Sequence, residues 1–257
     1  MSKQVTIAVI GRGKVGSSFA EKIAAVNSKY KLFVHLPARR KSFEKLSQNG
    51  GPDVIFICAK DDEIVRVSRK VLKSAGKNLK LLIHCAGSRE STILPARKGV
   101  SRLTLHPIQT FAEADISLLN NIYFMASSND PFAKKWAKVF VKDIGGKGLV
   151  EVRGRDLPLY HTLVVFASNF VTLLGGAIEL LSKSIGIRPS KMKSALEPLM
   201  WKSLQNVLKK DAAKVLTGPL ARKDFSTVLK HRLALQSQPA ALRKIYEGFV
   251  MLANEII

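Results

Sequence analysis

The hydrophobic positions of the first half of the chain fall into short runs separated by stretches with helical spacing. The runs Val5 to Ile10, Lys31 to Leu36, Val54 to Ala59, Lys80 to His84, Ser101 to Leu105 and Ile122 to Ala126 have the length and apolar content of strands. Between the first two, Val15, Phe19, Ile23 and Val26 recur on one helix face. After the third, Asp61 and Asp62 stand where a helix N-terminus welcomes acids, and Ile64, Val67, Val71 and Leu72 form an apolar stripe behind them. Strands that alternate with amphipathic helices build a parallel sheet covered on both faces. The pattern therefore predicts an α/β fold with an open, doubly wound sheet.

Beyond a last short run at Gly148 to Val152, the pattern turns helical. Leu157 to Ile178 carries no Asp, Glu, Lys or Arg, and one helix is expected to continue to about Ser184, where "GIRPS" stops it. Further helices are expected near Ser190 to Lys209, Asp224 to Gln236 and Pro239 to Ile257, with "LTGPLARKD" (Leu216 to Asp224) as an irregular connector. The change of pattern places a boundary at Val152, giving a sheet domain over 1–152 and an all-helical domain over 153–257. The uncharged stretch has about the 20 residues that cross a bilayer. It also holds Pro158, His161, Ser168, Asn169, Thr172 and Gly175-Gly176, a composition that fits a helix lining a cleft or a subunit contact, so no membrane span is expected.

Composition narrows the setting. With 257 residues and 46% hydrophobic content the chain can bury a substantial core. Its two cysteines, Cys58 and Cys85, each sit in or beside an apolar run, which leaves no disulfide framework and no metal-ligand cluster. The start offers only Val5 to Ile10 as an apolar stretch, too short for the core of a signal peptide, so a cytoplasmic location is expected. The net charge of +23 raises the question of nucleic acid. The excess is spread evenly, +12 over 1–126 and +11 over 127–257, without a basic tail or aromatic-basic interleaving, which argues against a nucleic-acid partner.

The first strand runs into Gly11-Arg12-Gly13-Lys14-Val15-Gly16, a G-x-G-x-x-G spacing that opens the first helix. In a dinucleotide site the first glycine allows the tight turn, the second lets the backbone approach a pyrophosphate, and the third lets helix pack on strand. The helix N-terminus adds free N–H groups and partial positive charge. An acidic residue at the end of the second strand, the partner of a ribose 2′-hydroxyl, is missing. "HLPARRKS" stands there instead, with Arg39, Arg40 and Lys41 where a 2′-phosphate would lie, which favours NADP over NAD.

"GRGKVGSSFA", "ICAKDDEI", "IHCAGS", "LHPIQTFAEAD", "YHTLVVFASNF", "LEPLM" and "LTGPLARKD" followed by "TVLKH" occur in that order. Together they resemble the Rossmann-like proteins with a C-terminal DUF2520 domain, a group similar to pyrroline-5-carboxylate reductases and 6-phosphogluconate-type dehydrogenases. The resemblance covers about Val5 to Leu235, and "LHPIQTF" and "LTGPLARKD" are its specific parts. It implies a nucleotide-binding domain, a helical domain like the C-terminal domain of 6-phosphogluconate dehydrogenase, a homodimer formed through those helices, and an NADP-dependent oxidoreductase acting on a small molecule. By the same resemblance Ala59, Lys60, Cys85 and Gly87 run along the ribose and nicotinamide, and His106 with Gln109 faces the substrate. The alternative for His106 is a satisfied imidazole shaping the turn at Pro107.

In the uncharged helix His161, Ser168 and Thr172 fall on one stripe, with Asn169 beside it. A histidine there can protonate the atom that gains negative charge during hydride addition. The alternative is a set of polar groups that satisfy one another at a dimer contact. The β-hydroxyacid dehydrogenases carry a Lys-x-x-x-Asn pair on the corresponding helix; with Asn169 in the asparagine position, Val165 replaces the lysine, so their mechanism does not transfer. Thr217, Arg222 and Asp224 of the connector are candidates for closing the substrate cleft or for shaping a loop. A non-catalytic NADP-binding sensor keeps the same fold without an organised proton donor.

Overall fold

A computed structural model describes residues 4–26, 28–40 and 42–257. Seven strands, β1 (Val5–Ile10), β2 (Tyr30–Leu36), β3 (Val54–Ile57), β4 (Leu81–His84), β5 (Ser101–Pro107), β6 (Tyr123–Ser127) and β7 (Gly148–Glu151), form one sheet in the order β2-β1-β3-β4-β5-β6-β7. β1 to β5 are parallel, and their side chains alternate between two apolar layers as the two-residue period requires. Ile7, Val9, Phe56 and Ile83 face one layer with α1 (Lys14–Ala25) and α3 (Pro131–Asp143). Ala8, Ile10, Ile55 and Leu82 face the other with α2 (Ile64–Ser74).

Aromatic side chains fill the first layer. Phe56 lies with its ring centroid 5.0 Å from Phe19 and 5.5 Å from Phe140, and Trp136 stacks on Phe140 at 4.6 Å. α3 begins with Asp130 accepting a hydrogen bond from the Phe132 amide and with Pro131 in its first turn, a start the sequence chemistry favours.

The chain leaves β1 outward to β2 and returns to the opposite side for β3, so the ends of β1 and β3 diverge into a crevice. β6 departs from the expected parallel arrangement and runs antiparallel to β5, while β7 is parallel to β6. The reason is local. The link 108–122 holds only a short turn of tight helix at Ile116–Leu119, and a parallel crossover needs a longer, usually helical, connection.

Two compact units divide the chain, the first ending at Ser168 and the second spanning Asn169–Ile257. The sheet pattern ends with β7, but α4 (Leu157–Ala167) stays with the first unit, because Leu157 and Tyr160 pack on Met125. The single helix expected to about Ser184 is in fact two. Ser168 leaves helical geometry (φ −125°, ψ −68°) and α5 (Asn169–Ser184) starts after it. Serine and asparagine side chains compete for backbone hydrogen bonds, which makes this pair a weak point in a helix.

In the second unit α5 pairs with α6 (Pro189–Lys209) through a Lys193–Glu179 ion pair. The connector forms two short helices, α7 (Ala212–Val215) and α8 (Gly218–Ala221), before α9 (Phe225–Leu235) and α10 (Ala240–Ile256). α9 and α10 are tied by a bidentate Arg232–Glu247 pair at 2.7 and 2.8 Å.

One buried group holds the loop after β4. His84 is fully buried; its Nδ1 accepts from the Ala86 amide, so its Nε2–H points to the Glu90 carbonyl at 3.1 Å. Burial pushes its pKa from 6.5 to about 4, partly opposed by the Glu90 hydrogen bond and the Asp61 charge. The unfolded chain therefore takes up this proton first as pH falls. The stabilisation is complete above about pH 6.5 and is lost as pH drops toward 4, with about 2 kcal/mol gone at pH 5. Urea titrations at pH 7 and pH 5 are expected to show a loss of at least about 2 kcal/mol, and His84→Gln is expected to shrink it by about that amount, leaving the share of the other buried histidine, His106, whose pKa is lowered alike. Equal unfolding free energies at both pH values would contradict it.

Candidate functional site

Where β1 ends, the Gly11 amide donates to the Leu36 carbonyl and the Cys58 amide to the Ile10 carbonyl, both at 2.7 Å. Gly11 sits at φ +133°, and a Cβ there would lie 2.0 Å from the Cys58 carbonyl oxygen. A Cβ on Gly16 would lie 2.1 Å from the Gly11 carbonyl oxygen. Both positions are closed to any side chain. Gly13 is different: nothing lies within 4 Å of where its Cβ would be, and it heads α1 without a side-chain cap and without an acid in the first turn. The turn is thus packed shut on its protein side and open at the helix N-terminus, the arrangement that a backbone-bound anion requires.

Around this opening Arg12 and Lys14 are exposed and Val15 is half-buried. The Arg12 guanidinium donates to the His35 carbonyl at 3.2 Å, and His35 Nε2 donates to the Gly11 carbonyl at 2.7 Å. Arg39 and Arg40 follow β2 and are exposed; Arg39 Nε lies 3.1 Å from Glu63, which also meets Arg66. Lys41 lies outside the described residues. Ala59 and the exposed Lys60 follow β3, and Cys85 follows β4 with its sulfur 3.7 Å from that of Cys58.

At the carboxyl ends of β4 and β5 the structure brings together residues far apart in sequence. His106 Nδ1 lies 2.9 Å from the Tyr160 hydroxyl, and the His106 and His161 rings are 6.2 Å apart. Gly87 is pressed against both: a Cβ on it would meet His161 at 3.0 Å and His106 at 3.1 Å. Ser88 beside it reaches the Asp61 carboxylate at 3.4 Å. Burial, then the neighbouring His161, push the His106 pKa down to about 4 against the opposing pull of Asp61, so this imidazole is neutral at pH 7. Burial also raises the Tyr160 phenol, which keeps its proton.

One expectation is changed here. His161, Ser168 and Thr172 do not form one continuous helix stripe with Asn169 beside it, because the helix breaks at Ser168 and Asn169 opens the next. Asp224 is a helix cap: it accepts from the Thr227 amide at 3.1 Å and from the Thr227 and Ser226 hydroxyls, which lower its pKa to about 2. Tyr160 was missed, since a tyrosine within "LPLYHTLVV" reads as core; its signal is only that it adjoins His161. Thr217 and Arg222 lie in the connector of the second unit.

Together these features define a Rossmann-type sheet with a glycine cradle, followed by helices. Residues 122–251 match the family model described as Domain of unknown function (DUF2520), and the chain belongs to that family. Among curated proteins no match is found. The fold is similar to that of a Bacteroides fragilis protein assigned as an NADP oxidoreductase (17% identity, 98% of each chain, TM-score 0.78). It is also similar to Plasmodium falciparum pyrroline carboxylate reductase with NADP bound (16%, 98% of each chain, 0.60). A third likeness is to an imine reductase from Myxococcus stipitatus in complex with NADP+ (18%, 97% of this chain and 93% of that one, 0.61).

The glycine geometry separates fold from binding. Gly11→Ala and Gly16→Ala are each expected to lose about 3 kcal/mol or more, because their Cβ atoms meet backbone. Gly13→Ala is expected to change stability by less than about 1 kcal/mol. Thermal melts of the three variants check this; a Gly13 variant as unstable as the other two would contradict it.

Proposed function

We propose that this protein is an NADP(H)-dependent oxidoreductase acting on a small molecule with a C=O or C=N group. The observation that carries the reading is the cradle: closed at Gly11 and Gly16, open at Gly13 and at the uncapped end of α1. Gly11, Gly13 and Gly16 would hold the pyrophosphate, with Arg12, Lys14 and Val15 around it. Arg39 and Arg40 would meet the 2′-phosphate, Arg39 being held ready by Glu63. Ala59, Lys60, Cys85 and Gly87 would line the path toward the ribose and nicotinamide. When bound, the cofactor supplies or accepts the hydride.

The chain's own task is orientation and a proton. His161 lies against Gly87, at the carboxyl end of β4 where such sheets bind ligands, and is assigned as the proton donor. His106, neutral and linked to the Tyr160 hydroxyl, positions the substrate oxygen or nitrogen and fixes the ring that His161 faces. Ser168, the last residue of the first unit, is assigned to the substrate side as a polar group at the helix break. With Asn169 in the asparagine position of the β-hydroxyacid dehydrogenases, Val165 stands where they carry lysine, and the proton is assigned to His161 in its place.

The second unit supports the further reading of a homodimer. Its apolar side chains are largely uncovered in the single chain, Leu208 at 76%, Phe225 at 74% and Leu199 at 63% exposure among them. An exposed apolar surface of that kind is covered by a partner in a soluble protein. A cytoplasmic location is part of the same proposal; residues 154–184 are apolar enough to cross a membrane and are split at Ser168 into helices of 11 and 16 residues.

Fluorescence titration is expected to show NADPH binding about tenfold or more tighter than NADH, and Arg39→Ala/Arg40→Ala to erase the difference. NADPH oxidation screened against small aldehydes, keto acids and cyclic imines is expected to find a substrate, with His161→Ala slower by roughly 10² to 10⁴. Binding of NADPH without turnover of any such compound would favour the sensor reading instead. Light scattering is expected to give twice the 28.3 kDa chain mass, and a monomer would overturn the dimer.

A further inference from the structure

We propose that Cys58 and Cys85 form a reversible disulfide site at the floor of the nucleotide cradle. The two are the only cysteines in the chain. Ile57 and His84 are register partners on the parallel strands β3 and β4, so the next residues, Cys58 and Cys85, leave the sheet side by side. Their sulfurs are 3.7 Å apart with no group between them, and both side chains are half-buried. A disulfide needs about 2.05 Å, a closure that rotation of the two side chains and a small backbone shift can supply.

The reaction consumes one equivalent of a peroxide. The Cys58 sulfur attacks one peroxide oxygen, the O–O bond breaks, and the leaving oxygen takes the thiol proton away as water. The Cys85 sulfur then attacks the sulfenic sulfur of Cys58, the S–O bond breaks, and the hydroxyl leaves as a second water with the Cys85 proton. Two electrons pass from the sulfurs to the peroxide. The two sulfurs stand 3.7 Å apart, so exchanging their order leaves the product unchanged.

Position gives the bond a consequence. The Cys58 carbonyl oxygen fills the space beside Gly11, and its Cβ lies 3.1 Å from where a Cβ on either Gly11 or Gly16 would be. Movement of Cys58 therefore has no slack on the side of the cradle. On the other strand, Cys85 leads through Ala86 into Gly87, which touches the His106 and His161 rings. Oxidation thus ties the cradle to the histidine cluster, and its effect on NADPH rests on the function proposed above.

Thiol titration of the unfolded protein and intact mass, before and after hydrogen peroxide, test the site without reference to any cofactor. Expected is a fall from two thiols to none, a mass loss of about 2 Da, and full reversal by dithiothreitol. Cys58→Ser and Cys85→Ser each carry one thiol before peroxide and are expected to form no intramolecular bond, with oxygen mass gained at the remaining cysteine in place of the 2 Da loss. In the unsubstituted protein, two surviving thiols, a gain of oxygen mass, or a disulfide between chains would overturn the proposal. NADPH affinity of the oxidised protein is expected to fall by about tenfold, since small displacements of binding groups are costly. Unchanged affinity would overturn the coupling, whereas failure of the reduced protein to bind NADPH would count against the cofactor reading alone.

Discussion

The contact between Gly11 and the Cys58 carbonyl oxygen is the constraint on which the candidate site depends. It occurs where β1 and β3, neighbours in the sheet, part company, one chain turning into α1 and the other toward α2. Hydrogen bonds to the Leu36 and Ile10 carbonyls draw the two turns together from either side. The space that remains is too small for a methyl group. Because the protein side is filled by backbone, the free amides of α1 face outward, and an opening is left only at Gly13. A loose turn of the same sequence would offer flexible donors and lose much of its preorganisation.

The second half of the site depends on a different kind of support. The loop that carries Gly87 is held from below by His84, whose two nitrogens bind the Ala86 amide and the Glu90 carbonyl. His106 and Tyr160 hold each other from opposite elements, a strand and a helix. Burial keeps His84 and His106 neutral, so neither adds positive charge to the site at pH 7. The three imidazoles therefore divide the work: one is structural, one is a neutral hydrogen-bonding partner, and His161 is the one assigned to the proton.

Much of the sheet was legible because its strands are apolar runs between breakers, and Val54–Ile57 and Leu81–His84 are wholly buried. The direction of a strand leaves no such trace. "NIYFMAS" has the same pattern in either sense, and only the shortness of the preceding link decides it. The break at Ser168 was also invisible, since serine and asparagine are tolerated in helices and no proline or glycine marks the place. Residues of the cradle could be named from spacing because one local turn contains them. His106 and His161 could be named singly, but their meeting at Gly87 depends on β6 and α4 packing against the sheet, and Tyr160 carries no mark that separates it from core.

The reversal at β6 has an effect on how the site is assembled. β6 and β7 run against β5, so the chain finishes the sheet at the rim opposite the crevice, where the Val152 amide bonds the Ala126 carbonyl. α4 has to climb back along the sheet edge, with Leu157 and Tyr160 seated on Met125, before it delivers Tyr160 and His161 to the ends of β4 and β5. The aim of these two side chains is therefore set by helical phase. Successive residues diverge by about 100°, so one residue points inward to His106 while the next skirts Gly87. A single rigid screw, seated by its first turn, gives the two their separate bearings.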